Sequence, residues 1–551
     1  MARSIHVLKQ IFYCCLTASL LFMCACPLRG EEPKKEEKKD AVLKPLEPYG
    51  GFTLKLEEGE KIWTDREDVF LSVPESLRGK GYILSPMLYS EAVVEKPGYV
   101  YVITPTPVKA HLAPRFSKSA AGRVIPYFAP NLVALGFERM EEIEEFRISA
   151  KLKEPVAVFA KYAEKGEVIK YGKPSWGVTV AGLSPDYKDN EVKVPEIEKG
   201  RSNVIKTPAT LHIKAGKEYA FSERTYQGVP GVEITPGGRL WVSWVADKTG
   251  VYTEGPRNFT VLVTSDDNGK TWSDPPVIAV QHPVWPIACV DPMVWHDPSG
   301  RLWYAWTQRD VPLDRYDSWR ITTEDSENEN PAWSKPEIVG TGTLLNKPAV
   351  LSTGEWLFCS SFRGSPVDVY VSTDRGKTIT HLSKADVPRA GWNEHMIIER
   401  KDGSLWMLVR RYGGIAQSFS YDRGKTWTEG ELYRPGPSTR FHIRRLKSGR
   451  LLLIAHPVEE GARMRTNITA YLSEDEGKTW PYGLLLDDRE WVSYPDAVET
   501  KDGVIYSVHD HHRPSKMEIV MSVFTEEDIM AGKLVSENSR LGVIISGRDR
   551  K

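Results

Sequence analysis

Six residues of this 551-residue chain share one offset from a repeated glycine turn: Val229, Asp291, Lys347, Glu394, Arg440 and Tyr494. Five of them stand nine residues before Gly238, Gly300, Gly403, Gly449 and Gly503, and Lys347 stands seven before Gly354, whose turn is two residues shorter. All but Val229 are polar or charged. Gathered on one axis they would line a concave mouth, where unlike charges need partners and a ligand is a natural one. The alternative is that Lys347–Glu394 and Arg440–Asp291 pair with each other and plug a closed channel.

The elements that must hold such a ring are legible as repeats. Ser265–Trp272, Ser372–Ile379, Ser420–Trp427 and Ser473–Trp480 repeat the pattern Ser-x-Asp-x-Gly-Lys-Thr, and a weaker trace runs from Thr323 through Asp325 to Trp333. The central aspartates are spaced by 58, 49, 48 and 53 residues, a period that belongs to a repeat architecture. Each box reads as a hairpin turn in which Asp bonds backbone N–H groups and Gly takes a positive φ. The glycine turns, as in Pro236-Gly-Gly238-Arg-Leu-Trp241 and Lys401-Asp-Gly403-Ser-Leu-Trp406, join two apolar strands six times over. Six units of four strands predict a six-bladed β-propeller.

Box, blades and ring resemble the sialidase superfamily of Asp-box propellers over roughly residues 215 to 535. The resemblance implies a tyrosine nucleophile made basic by a glutamate, an aspartate acid/base, and three arginines that clamp the substrate carboxylate. Trp392-Asn-Glu394 followed by Asp402–Arg410 is similar to the family's glutamate-then-arginine blade, and Ser493-Tyr494-Pro-Asp496 sits where the family places its tyrosine. Arg465 matches the late arginine. A neutral tyrosine suits an anionic sugar that a carboxylate nucleophile would repel. Free tyrosine, with a pKa of about 10, is a poor nucleophile at neutral pH, so a buried Glu394 would take its proton as the bond forms. Arg410 would orient the carboxylate by a bidentate bond.

The first blade departs from the family: Gln227-Gly228-Val229-Pro230 has glycine where the pattern has arginine. Arg224 and Arg257 are the nearby alternatives, and Asp247 and Glu254 are the acid/base candidates by position. Arg440, Lys347, Asp291, Gln227, Asn346, Asp496 and His511 complete the expected substrate contacts, Asn346 reading equally well as a hydrogen bonder at a strand start. Trp285 and Trp392, near the ring, suit stacking on a sugar, whereas the box tryptophans read as core. His509-Asp-His511-His512-Arg513 suggests a metal site or proton shuttle less than a hydrogen-bonded loop, since no carboxylate cluster at ligand spacing accompanies it. No metal or cofactor is expected.

A net charge of −1 gives no reason to expect a nucleic-acid partner. Residues 1–26 read as a signal peptide, with Arg3 and Lys9 before the apolar run Ile11–Cys26, and Cys26 is a candidate lipidation site. A charged tether (27–47), a mostly-β accessory domain (48–185), a linker (186–208) and the propeller (209–551) follow. Cys289 and Cys359, the two cysteines beyond the leader, allow one disulfide. The expectation is an exported, all-β protein: an exo-acting glycoside hydrolase on a terminal, acidic sugar of a glycan. A non-catalytic glycan-binding propeller and a polysaccharide lyase acting on uronic acids are the alternatives.

Overall fold

The computed structural model describes residues 39–548, apart from 106–131, 184–203 and several shorter stretches. The leader, Cys26, most of the tether and linker, and Trp285 therefore lie outside the described residues. Strand dominates, and its period-2 burial builds two kinds of layer.

The accessory part is two antiparallel sheets. One holds six strands in the order Phe52–Lys55, Gly81–Leu84, Val178–Ala181, Gly98–Pro105, Val156–Ala163 and Glu138–Arg139; the other holds Val42–Pro45, Tyr89–Lys96 and Val168–Gly172. Leu43, Ala92 and Val94 of the small sheet pack with Val100, Val102 and Ala157 of the large one. Residues 42–45, read from their charged surroundings as tether, thus form a strand because Ala41 and Leu43 have a core to enter.

From Thr210 onward the chain forms six sheets of the predicted kind. Their innermost strands are Tyr226–Ile234, Ile287–His296, Ala349–Val350, Met396–Glu399, His442–Arg445 and Val492–Glu499, in blades one to six. Each blade continues outward through three more antiparallel strands, and Thr210–Ile213 adds a fifth to the outer edge of blade one. The box hairpins join third and fourth strands. In the first, Asp267 Oδ1 accepts from the N–H groups of Lys270 and Thr271 at 3.0 and 2.9 Å, and Thr271 Oγ1 donates to Oδ2 at 2.7 Å.

The boxes also order the blades around the axis. A Cβ on the box glycine would strike the preceding blade: Gly376 meets Trp303, Gly477 meets Trp406, and Gly424 comes within contact of Leu357. Gly269 of blade one meets Met521 of blade six, so the same contact closes the circle. Two carboxylates reinforce the closure, Asp496 Oδ2 accepting from Val232 N at 2.9 Å and Asp510 Oδ2 from Val229 N at 2.8 Å. Cys289 and Cys359 are both free and buried in separate clusters between different blades, so the allowed disulfide is not formed.

Two glycines with nearly equal φ separate backbone strain from packing. Gly503 (φ 82°) has open space where a Cβ would go, while Gly477 (φ 83°) has Trp406 Cη2 at 2.4 Å. Gly503→Ala should cost about 1 kcal/mol for the left-handed backbone. Gly477→Ala should cost about 2–4 kcal/mol because overpacking adds to it, and denaturant titration of the two variants side by side measures the difference.

Candidate active site

The mouth of the ring is built by an irregularity that recurs. Val229, Asp291 and Tyr494 have φ of 61°, 49° and 58°. Pairing of the innermost strand slips at each, between Gly228 and Gly231, Val290 and Met293, and Ser493 and Asp496. A proline follows in all three cases (Pro230, Pro292, Pro495) and withholds a ladder donor. Such a bulge re-aims one side chain. A left-handed non-glycine costs about 1–2 kcal/mol, so three in alignment are held by the surrounding fold. In blades three to five the equivalent residues, Lys347, Glu394 and Arg440, lie two positions ahead of their short inner strands.

Blades four and six meet at the tyrosine. Tyr494 Oη donates to Glu394 Oε1 at 2.5 Å, and Arg410 Nη1 donates to both Glu394 oxygens (2.8 and 2.9 Å) and to Tyr494 Oη (2.9 Å). All three residues are buried. Burial first, then the Glu394 charge, holds the Tyr494 pKa above that of a free phenol, while Arg410, Arg513 and Arg465 pull it down. The hydroxyl therefore rests protonated, bonded to a base and facing cations that favour the phenolate once it forms.

Arg465 lies 5.8 Å from the Tyr494 ring centroid and donates to Ser493 Oγ (3.3 Å) and Ser438 O (3.1 Å). It is partly exposed, and among the described residues no carboxylate lies within ion-pair distance of it. Burial and the charges of Arg410 and Arg513 lower its pKa, the mark of a guanidinium wanting an anion. Arg513, not singled out from the sequence, lies closer still, its guanidinium 4.2 Å over the same ring.

Asp291 is the titratable group of the mouth. Restricted solvation, then the charges of Glu254 and Glu394, push its pKa up to about 7 against the pull of Arg309 and Arg513. Of the two positional acid/base candidates, Glu254 reaches the mouth, where its Oε1 accepts from Arg513 Nη1 at 3.3 Å. Asp247 does not: it is fully buried at the end of blade one's second strand, near Asn258 Nδ2 and Thr225 Oγ1 at 3.4 Å.

Other ring charges neutralise one another along the axis, with partners the spacing did not indicate. Lys347 Nζ is 3.3 Å from Asp496 and 3.7 Å from Glu233, and donates to Val232 O. Arg440, 1% exposed, lies 3.6 Å from Asp496 and donates to Asn346 Oδ1 at 2.8 Å, while His442 Nδ1 is 3.0 Å from Asp496. Lys347, Arg440, Asn346 and Asp496 thus form an axial plug instead of contacts at the mouth. Gln227 is buried in blade one, bonded to Ser546 Oγ and Trp244 Nε1. His511 faces Glu518 at 2.6 Å, and Arg224 is buried against Tyr219 O. Trp392 is half-buried at the rim, 5.8 Å from the Arg309 guanidinium.

Residues 238–507 match the model of the BNR repeat-like domain. A sialidase of Micromonospora viridifaciens is 26% identical over 278 residues, which are 48% of this chain and 36% of that protein, so the chain spans about a third of this curated relative. Among solved structures, a Hadza microbial sialidase aligns at 15% identity and TM-score 0.47, over 86% of this chain and 99% of that one. The NanB sialidase of Streptococcus pneumoniae aligns at 14% identity and TM-score 0.44, over 87% and 90%. The glycine turns, the boxes and the six blades thus coincide with a match to the BNR repeat-like domain over just under half of the chain.

Proposed function

We propose that the protein is an exo-acting glycoside hydrolase that removes a terminal acidic sugar from a glycan, working outside the cytoplasm as the amino-terminal apolar run suggests. The observation that carries this reading is the Tyr494–Glu394–Arg410 cluster beside Arg465, which has no carboxylate partner among the described residues. Arg465 and Arg410 attract the sugar's carboxylate. Tyr494 Oη bonds to the anomeric carbon while Glu394 takes the phenolic proton and Asp291 gives its proton to the departing glycosidic oxygen. In the second half, water attacks the anomeric carbon, Asp291 takes the water's proton, and Tyr494 leaves with the proton held by Glu394. Two displacements at one carbon retain its configuration.

One observation favours a site that binds without turning over: Arg410 donates to both oxygens of Glu394, so the proposed base is already engaged by a cation. Tyr494→Phe decides between the readings. On a panel of fluorogenic sialosides, related acidic glycosides and neutral glycosides, the wild type should release an acidic sugar. The variant should release none while still binding the product sugar by calorimetry. Undiminished activity in Tyr494→Phe would sink the mechanism, and a silent wild type that still binds glycans would establish the binding propeller.

The Asp291 proton gives the pH dependence its sign. A donor with a pKa of about 7 is loaded below pH 7 and empty above it, so activity should fall as pH rises through about 7. Asp291→Asn should abolish that limb and slow substrates with poor leaving groups by about 10²–10⁴-fold, sparing activated aryl glycosides. The same shift acts on stability. Because the folded pKa lies above the unfolded value near 4, the fold loses stability as pH rises from about 4 to about 7. Asp291→Asn should therefore melt higher than the wild type above pH 7, with the gap shrinking toward pH 4; equal melting curves at both ends would show that Asp291 does not hold its proton.

A further inference from the structure

The glycine that interrupts the first blade has its side-chain space filled by another residue. Gly228 lies on the inner strand Tyr226–Ile234, and a Cβ built on it would fall 2.6 Å from Arg513 Cδ and 2.7 Å from both Cγ and Nε. Arg513 comes from the loop after the second strand of blade six, Ile505–His511, some 280 residues later in the chain. Its stem occupies the volume that a side chain at 228 would take, and its guanidinium ends over Tyr494.

The guanidinium is also held in place. Nε donates to Asp510 Oδ2 at 2.8 Å, Nη1 lies 3.3 Å from Glu254 Oε1 and 3.5 Å from Tyr226 Oη, and Nη2 is 3.4 Å from Ser493 Oγ. Asp510 is itself fixed by Val229 N (2.8 Å) and Ser493 Oγ (2.7 Å). Only the Nε–Asp510 bond is short; the Nη contacts are long, and the side chain keeps 15% of its exposure. With Arg410 and Arg465 at 6.0 and 5.8 Å, three guanidiniums crowd one phenol ring. Glu394 and Asp510 already pair with Arg410 and Arg513, so it is Arg465, with no carboxylate in ion-pair distance among the described residues, that leaves the group open to a further anion.

We propose that Arg513 is the third arginine of the substrate's carboxylate site, delivered from blade six into the space left by Gly228. This rests on the acidic-sugar reading above. Its Nη edge binds the carboxylate in place of the long contact to Glu254, while the Asp510 bond keeps the side chain aimed. Gly228 and Arg513 are then one functional unit: glycine at 228 is required because the arginine arrives from elsewhere.

A swap tests this. Gly228 has no positive φ, so an arginine there meets no backbone strain. The probes are the α-methyl glycoside of sialic acid and its methyl ester, measured by calorimetry on the full chain, with melting temperature as a check of folding. Arg513→Gly should weaken binding of the acid by on the order of tenfold to hundredfold, the worth of a charged hydrogen bond, and leave the ester unchanged. Gly228→Arg alone should bind neither, because two side chains contend for one space. Gly228→Arg with Arg513→Gly should regain most of the acid's affinity, and Arg513→Lys should lie between. Equal loss for acid and ester, no loss in Arg513→Gly, or no rescue in the swap would each overturn the assignment while leaving the acidic-sugar reading in place. A wild type that binds no acidic sugar, tested also with glucuronic and galacturonic acid, would overturn both.

Discussion

The hydrogen bond from Tyr494 Oη to Glu394 Oε1 joins residues a hundred positions apart on two different blades. It forms only if both inner strands present their first residues to the axis at the same height. The bulge at Tyr494 and the strand start after Glu394 are two solutions to that requirement. Because the bond is short and buried, small errors in blade register would leave a phenol and a carboxylate unsatisfied in a poorly solvated place, which is costly. The aromatic core beneath, where box glycines close on Trp303 and Trp406, supplies the rigidity that prevents it.

Charge is sorted by depth. On the axis, Asp496 gathers Lys347, Arg440 and His442; burial alone would raise its pKa, but these neighbours outweigh it and keep the carboxyl far below the usual range. At the mouth the balance differs: three arginines face carboxylates that are already bonded elsewhere or hold a proton. One set closes the channel by mutual neutralisation, whereas the other leaves attraction for a solute.

What could be read from the sequence was what local chemistry determines. The boxes, glycine turns and common offset of the ring depend on a few consecutive residues, and they gave the blade count and the alignment of Glu394 with Tyr494. Pairing of charges is a different matter. Lys347 was as compatible with Glu394 as with Asp496, and only the packing of blade six against blade one selects the latter. The proton on Asp291 depends on neighbours from four other segments. Arg513 carried one signal, the gap at Gly228, whose meaning required knowing which loop passes over it. Val42–Pro45 escaped notice because four residues beside a charged run have no period to detect.

The circle is fastened by the blade that holds Tyr494. Asp496 and Asp510, which follow Tyr494 in blade six, grip the backbone of blade one, and Gly269 of blade one seats on Met521 of blade six. The clasp and the Tyr494 hydroxyl thus come from one blade. Without blade six the ring would lack its clasp and Glu394 its tyrosine partner, so closing the circle and forming the Tyr494–Glu394 bond are a single event.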